Sequence, residues 1–318
     1  MRALVTGGAG FIGSTLVDRL LAEGHTVDVV DDLSSGSLAN LSEARSNPSY
    51  EYSFSRLDIR SNGLPELIAH RKPEVVFHLA AQADVRVSVA RPAFDAEVNI
   101  LGTLQVLEGA RAAGTRKVVF AASGGTLFGE TDKLPVRESA PQRPLSPYGV
   151  SKKSAIDYLV AYQALHGIEF TALALANVYG PRQDPHGEAG VVAIFAGLLL
   201  DGKPCTVFGD GEQTRDFVYV DDVVDAFSRA ATRGDGLLVN VGTGVETSVN
   251  QLYRTMAGLA GVDAPPRHAP ERPGELRRSA LDPGRAAVRL GWKAWTSLED
   301  GAGEVLRWFR DHQPPRPR

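Results

Sequence analysis

The stretch Ser146-Pro147-Tyr148-Gly149-Val150-Ser151-Lys152 sets a phenol and an amine four residues apart, directly after a proline. A helix opening at Pro147 would carry residues 148 and 152 on one face, a turn apart. A phenol ordinarily titrates near ~10, too high for a base at neutral pH, but a neighbouring cation favours its anion. Such a pair suits removal of a proton from an alcohol whose carbon gives up hydride to a nicotinamide. Tyr148 is therefore the expected base. Lys152 is the expected cation, also placed to hydrogen-bond the nicotinamide ribose. Upstream, VVFAASGGTLFG supplies two hydroxyls, Ser123 and Thr126. Either could hold a sugar hydroxyl in a short relay; alternatively Ser123 caps a turn and Thr126 satisfies local backbone.

Hydride chemistry needs a dinucleotide site, and TGGAGFIG has its pattern. Gly7, Gly10 and Gly13 stand between an expected strand and an expected helix, and Phe11 and Ile12 among them are counted with the cofactor-binding residues. Glycines let backbone approach a pyrophosphate, whose charge the helix amides meet. Asp31 and Asp32 follow eighteen and nineteen residues after Gly13, where a carboxylate can accept from an adenosine ribose. A carboxylate there repels a ribose phosphate, so NAD is expected rather than NADP; Asp32 also reads as a solvated turn residue. Asp58 and Ile59 in RLDIR are candidates for the adenine edge, against a surface aspartate in a loop. Ala80 and Ala81 close the run FHLAA with side chains small enough for a ligand to lie on their backbone. His78 lacks metal-ligating neighbours and reads as structural.

The elements that must hold these groups follow from the rest of the chain. Its 318 residues are 43% hydrophobic and 23% charged, with a net charge of -4. That composition is ordinary for a globular protein and offers no basic field for nucleic acid. The single cysteine, Cys205, excludes an intrachain disulfide and is read as buried or inert in a reducing compartment. Neither a signal peptide nor a membrane span fits the sequence, so a cytoplasmic location is expected. Residues 3–5, 26–30, 75–78, 117–120 and 170–174 read as strands. Residues 14–23, 63–70, 99–113, 148–166, 220–231 and 249–261 have helical spacing. This alternation predicts an α/β fold, a Rossmann-like parallel sheet with helices on both faces and a smaller C-terminal substrate-binding domain. The expected division is 1–176 for the NAD-binding domain and 177–318 mainly for the substrate domain, with residues 237–242 able to return to the first as a strand.

The ordered set TGGAGFIG, Asp31, AASGGTLFG, SPYGVSK, ANVYGPRQ and QTRDFVYVDDV spans nearly the whole chain and resembles the extended short-chain dehydrogenase/reductase family, within it the UDP-glucose 4-epimerase group. The resemblance implies a tightly bound NAD, reduced and reoxidised in each cycle, and reversible C4 epimerisation of UDP-glucose and UDP-galactose through a UDP-4-keto-hexose. It maps the pyrophosphate loop to Gly7, Gly10 and Gly13, the ribose carboxylate to Asp31, the adenine contact to Asp58 and Ile59, and the catalytic pair to Tyr148 and Lys152. It also implies a homodimer through the helices at 99–113 and 148–166. Two departures stand out. Gly124 occupies the usual position of a catalytic serine, which makes Thr126 the expected replacement and Ser123 its rival, and Phe128 replaces a tyrosine.

On the sugar-nucleotide side the resemblance points to Arg215 and Arg272 as diphosphate clamps, to Asn177 for phosphate or sugar, and to Phe208 and Val192 for the uracil side. Packing is the alternative for Phe208 and Val192. Ser279 falls where residue volume controls room at the sugar C2, so UDP-N-acetylhexosamines are candidate substrates too. Asp216 and Asp222 are expected to pair structurally. His186 and its acidic neighbours lack a complete ligand set, and no metal is expected. UDP-glucuronate 4-epimerisation is the nearest competing reaction. A 4,6-dehydratase would need an Asp-Glu pair where Gly125-Thr126-Leu127 stands, and a non-catalytic NAD-binding regulator would not need the Tyr148/Lys152 pair.

Overall fold

Short runs rich in β-branched and aromatic residues form one seven-stranded parallel sheet in the computed structural model, which describes residues 1–185, 190–271 and 276–312. In chain order the strands are β1 (Arg2–Thr6), β2 (Thr26–Asp31), β3 (Tyr52–Arg56), β4 (Val75–His78), β5 (Lys117–Ser123), β6 (Glu169–Leu175) and β7 (Leu237–Val241). Across the sheet they run β7-β6-β5-β4-β1-β2-β3, so the order reverses between β1 and β4. A crevice opens at such a reversal, beyond the carboxyl ends of the strands. The longer helices are α1 (Phe11–Ala22), α2 (Leu64–Arg71), α3 (Gly102–Ala113), α4 (Pro147–His166), α5 (Val191–Leu200), α6 (Val220–Ala230), α7 (Val249–Ala260) and α8 (Leu298–His312).

Successive strand residues point to opposite faces, and here each face has its own core. Leu4, Val30, Val76, Val118 and Phe120 pack with Ile68 of α2, Leu107 of α3 and Ile156 of α4. Val5, Val29, Phe77, Val119 and Leu173 pack with Leu16 of α1 and Phe227 of α6. The buried residues of α5, α7 and α8 belong to this second core as well, so the chain beyond residue 176 shares the packing of α1. Leu237–Val241 pairs along β6, from Leu237 opposite Thr171 to Val241 opposite Leu175.

Three elements differ from the sequence expectations. β3 is an edge strand, and its alternation of Tyr52 and Phe54 with serines leaves it only half-buried, a weaker signal than the valine runs. α5, VVAIFAGLLL, is not among the stretches with helical spacing; it is apolar on nearly every side because it is buried, so it lacks an amphipathic stripe. α8 continues to His312, directly before the proline-rich end.

The segments around the sheet's carboxyl edge are tied by one carboxylate. Asp216 is 1% exposed. It accepts from the Thr243 amide (2.8 Å) and hydroxyl (2.6 Å), the Gly244 amide (3.0 Å) and the Leu281 amide (3.1 Å). Its own carbonyl accepts from the Asn177 amide at 2.8 Å. Burial pushes the Asp216 carboxyl up, and the donors pull it back. Removing it strands several buried donors, each costing on the order of 1–3 kcal/mol. Asp216→Ala should therefore lower unfolding stability by at least about 3 kcal/mol in urea, read as a shift in midpoint with an unchanged slope; a loss under about 1 kcal/mol would contradict this role.

Candidate active site

The reversal of strand order brings the ends of β1 and β4 against each other with almost no room between them. Gly7 has φ +71°, and a Cβ there would lie 2.6 Å from the Ala80 amide nitrogen. A Cβ at Gly13 would run into the Gly7 carbonyl. Gly10 caps α1, its amide donating to the Gly7 carbonyl at 3.2 Å, and the first turn of α1 carries no acid. Phe11 and Ile12 are half-buried beside it. The result is a cradle of bare backbone facing the amino end of a long helix, which fits a dinucleotide pyrophosphate.

Asp31 ends β2 and accepts from the Ala9 amide at 2.9 Å and the Leu33 amide at 2.8 Å, so it fixes the glycine loop. Burial pushes its carboxyl up. Asp32 caps its own turn through the Ser34 amide and hydroxyl. Asp58 pairs with Arg60 at 2.5 Å, which holds its carboxyl low, while Ile59 is buried against Gly102. Ala80 and Ala81 are half-buried. His78 bridges Thr6 (2.7 Å) and Thr103 (2.9 Å); burial and nearby Lys152 push it down to about 3, so it is neutral. Among the described residues no group of three or more His, Cys, Asp or Glu could hold a metal ion. His186 and Arg272 lie outside the described residues.

The reactive pair follows from how α4 begins. Ser146 accepts from the Gly149 amide at 3.1 Å, and Pro147 opens the first turn. Gly149 lets the helix lie on the Thr126 carbonyl, which a Cβ would approach to 2.7 Å. Lys152 is 3% exposed, with Nζ 4.8 Å from the Phe120 ring centre and 5.7 Å from that of Tyr148. Burial pushes its ammonium down to about 8. Tyr148 keeps part of its ring exposed, but its hydroxyl end is enclosed; burial raises it strongly, Asp95 adds to that, and a hydrogen bond with Ser123 opposes it. Thr126 instead directs its hydroxyl to the Ser123 carbonyl, at 3.4 Å.

On the far side of the edge, Asn177 opens a short strand, Asn177–Tyr179, parallel to Phe217–Tyr219. Arg215 is half-buried and donates to the Thr214 and Leu276 carbonyls, each at 2.8 Å. Phe208 ends the strand Thr206–Phe208 and is half-buried. Val192 of α5 is 1% exposed. Ser279 faces Gly125, where a Cβ would lie 4.0 Å from its Oγ. Asp95, absent from the sequence reading, is buried behind Lys152. It precedes the stretch in which helical spacing was recognised, and Asp95 within PAFDAE carries no periodic signal.

The model of the NAD dependent epimerase/dehydratase family matches residues 3–242. The chain is 52% identical over 312 residues to UDP-glucose 4-epimerase of Mycolicibacterium smegmatis, covering 98% of this chain and 99% of that protein. Among solved structures, UDP-glucose 4-epimerase of Thermotoga maritima with UDP-glucose superposes with a TM-score of 0.94 at 45% identity, covering 98% and 99% of the two chains. That of Thermus thermophilus in complex with NAD gives 0.91 at 41% identity, covering 98% and 100%.

At Gly124, where a serine was the expected family residue, a Cβ would run into the Leu281 side chain. Overpacking of this kind costs about 1–3 kcal/mol. Gly124→Ser should lower the unfolding temperature without raising turnover; a variant as stable as the parent and faster would refute this account of the loop.

Proposed function

Because the chain belongs to the NAD dependent epimerase/dehydratase family, we propose that it interconverts UDP-glucose and UDP-galactose by inverting C4 through a UDP-4-keto-hexose. The observation that carries this reading is the gathering of Tyr148, Lys152 and Ser123 at the strand ends beside the glycine cradle. The cradle of Gly7, Gly10 and Gly13, the α1 amides, Asp31 and the small backbone at Ala80 and Ala81 are the residues that would hold NAD. Bound NAD supplies a reversible hydride acceptor, so turnover consumes no outside reductant.

Tyr148, as phenolate, takes the proton of the sugar C4 hydroxyl and returns it to the same oxygen once the keto sugar has turned to present its opposite carbonyl face. Burial opposes that phenolate, so the neighbouring Lys152 ammonium must support it. Ser123 is assigned the relay hydroxyl because its side chain acts on the phenol in favour of the phenolate, whereas Thr126 turns its hydroxyl to the Ser123 carbonyl. Arg215 and Arg272 are assigned to the diphosphate and Asn177 to phosphate or sugar, with Phe208 beside uracil. The room between Ser279 and Gly125 suits an N-acetyl group at C2, which extends the reading to UDP-N-acetylhexosamines. Gly125 and Thr126 offer no carboxylates for the elimination that a 4,6-dehydratase performs. A cytoplasmic setting belongs to the same reading: Cys205 is buried, its thiol pushed up to about 11, and no described helix is long and apolar enough to cross a membrane.

Purified protein should convert UDP-glucose to UDP-galactose, and the reverse, without added reductant, as resolved by chromatography of timed samples. Parallel samples of UDP-N-acetylglucosamine and UDP-glucuronate define the range. Ser123→Ala should cost about 10²-fold or more in kcat, and Thr126→Val far less. Absence of any C4 epimer from a folded, NAD-loaded preparation would sink the proposal, and the reverse ranking of the two variants would return the relay to Thr126.

A homodimer completes the reading. Leu101 (55% exposed) lies beside α3, and Val150 (49%), Tyr158 (39%) and Leu165 (74%) lie along α4, a larger apolar display than a solvated helix pair needs. Light scattering should give twice the chain mass, and Leu165→Glu with Tyr158→Glu should give the monomer. A monomeric parent would remove the dimer from the reading.

A further inference from the structure

Behind the reactive pair lies a carboxylate to which the mechanism above gives no role. Asp95 sits in the short helix Pro92–Ala96 and is 0% exposed. Its Oδ1 accepts from the side-chain amides of Gln82 at 3.0 Å and Asn99 at 2.9 Å, and its Oδ2 accepts from the Ser151 hydroxyl at 2.6 Å. Asn99 belongs to a π-helical turn, Glu97–Leu101, an irregularity that recurs at functional sites. It also grips the Gln82 backbone both ways, its Oδ1 accepting from the amide at 3.0 Å and its Nδ2 donating to the carbonyl at 2.9 Å. Asp95 is thus fixed at once to the loop after β4 and to α4, at the residue that immediately precedes Lys152.

All three donors are neutral, which leaves the charge of Asp95 to act on the ionisable groups nearby. Lys152 is faced by neutral His78 from β4, by the Phe120 ring from β5 and by Tyr148 from its own helix. Asp95 is the charged group that acts on both Lys152 and Tyr148. We infer that Asp95 is a positioning residue for this reaction, fixing the turn of α4 that carries Tyr148 and Lys152 and setting one negative charge against both, so that it determines the pH window of turnover. The inference rests on the proposed epimerase reading for its kinetic part only.

The signs are definite. Burial pushes Lys152 down to about 8 and Asp95 pulls it back up; burial pushes Tyr148 up and Asp95 pushes it further. Turnover needs the phenolate and the ammonium together, so both limbs of the profile belong to the coupled pair of Tyr148 and Lys152. Removing the charge lowers both, and the whole window moves toward acid. Asp95→Asn can keep its oxygen toward Gln82 and Asn99 and turn its nitrogen to Ser151, whose hydroxyl then accepts. The complementary variant, Ser151→Ala, deletes the bond and keeps the charge.

The experiment measures kcat/KM for UDP-glucose against pH in the parent, Asp95→Asn and Ser151→Ala, with thermal unfolding of each to establish that it is folded. Beside it runs an ultraviolet difference titration of the phenolate, referenced to Tyr148→Phe, which requires no turnover. In Asp95→Asn both limbs and the phenolate titration should move to lower pH by about one unit; in Ser151→Ala neither limb should move. Limbs and phenolate unmoved in Asp95→Asn would overturn the inference, as would a Ser151→Ala variant that moves them, a result that stands even if Asp95→Asn does not fold. If the parent leaves UDP-glucose unchanged while Asp95→Asn still shifts the phenolate, the substrate reading fails and the role of Asp95 is supported.

Discussion

The proposed reaction depends on keeping one positive charge, that of Lys152, in a place where burial works against it. Burial alone shifts the ammonium toward neutrality, and the neighbouring groups are consistent with sparing it further cost. His78, which could have carried a like charge, is enclosed between two threonine hydroxyls and stays neutral. The Phe120 ring presents an aromatic surface near Nζ rather than a competing cation. A phenol in such a setting would remain protonated, and in the proposed reaction it is Lys152 that must supply the charge against that tendency. The same enclosure strengthens every electrostatic interaction within it, which is how a modest number of groups can govern proton transfer.

The sheet makes this arrangement reproducible. Strand residues alternate between two cores, so each strand end is clamped from both faces and can hold its side chain or bare backbone in one position. The approach of Gly7 to Ala80 shows how narrow the tolerance is, since even a methyl group would collide with backbone. Asp216 extends that precision to the other side of the cleft, connecting the segments of Asn177, Thr243 and Leu281 through one buried carboxylate. The two sides of the sheet's carboxyl edge are therefore parts of one packed body, with α5, α7 and α8 continuing the core that α1 begins.

Much of this was legible in the sequence because it rests on local rules. The valine runs marked buried parallel strands, the glycine spacing marked the turn into α1, and the proline before Tyr148 marked the start of α4 with the phenol and amine one turn apart. What escaped was set by tertiary surroundings. β3 is an edge strand whose serines alternate with Tyr52 and Phe54, and α5 has no polar face because it is buried. Asp95 owes its place to Gln82, Asn99 and Ser151, which are remote in sequence or separated from it by an irregular turn. No period or motif in the chain encodes that meeting.

The choice between Ser123 and Thr126 shows why motif position is a weaker guide than the strand end that carries the group. Matching the loop residue by residue assigns the missing hydroxyl to Gly124, yet Leu281 occupies the space a side chain there would need. Thr126 lies one turn further on, in the helix Gly124–Leu127, and turns back to the Ser123 carbonyl. Ser123 is the last residue of β5, held in register opposite Leu175, and its side chain leaves the sheet at the edge where the phenol of α4 arrives. The proposed chemistry requires a hydroxyl within reach of Tyr148 rather than at a place in a motif. A strand clamped between two cores meets that requirement even when the loop after it changes.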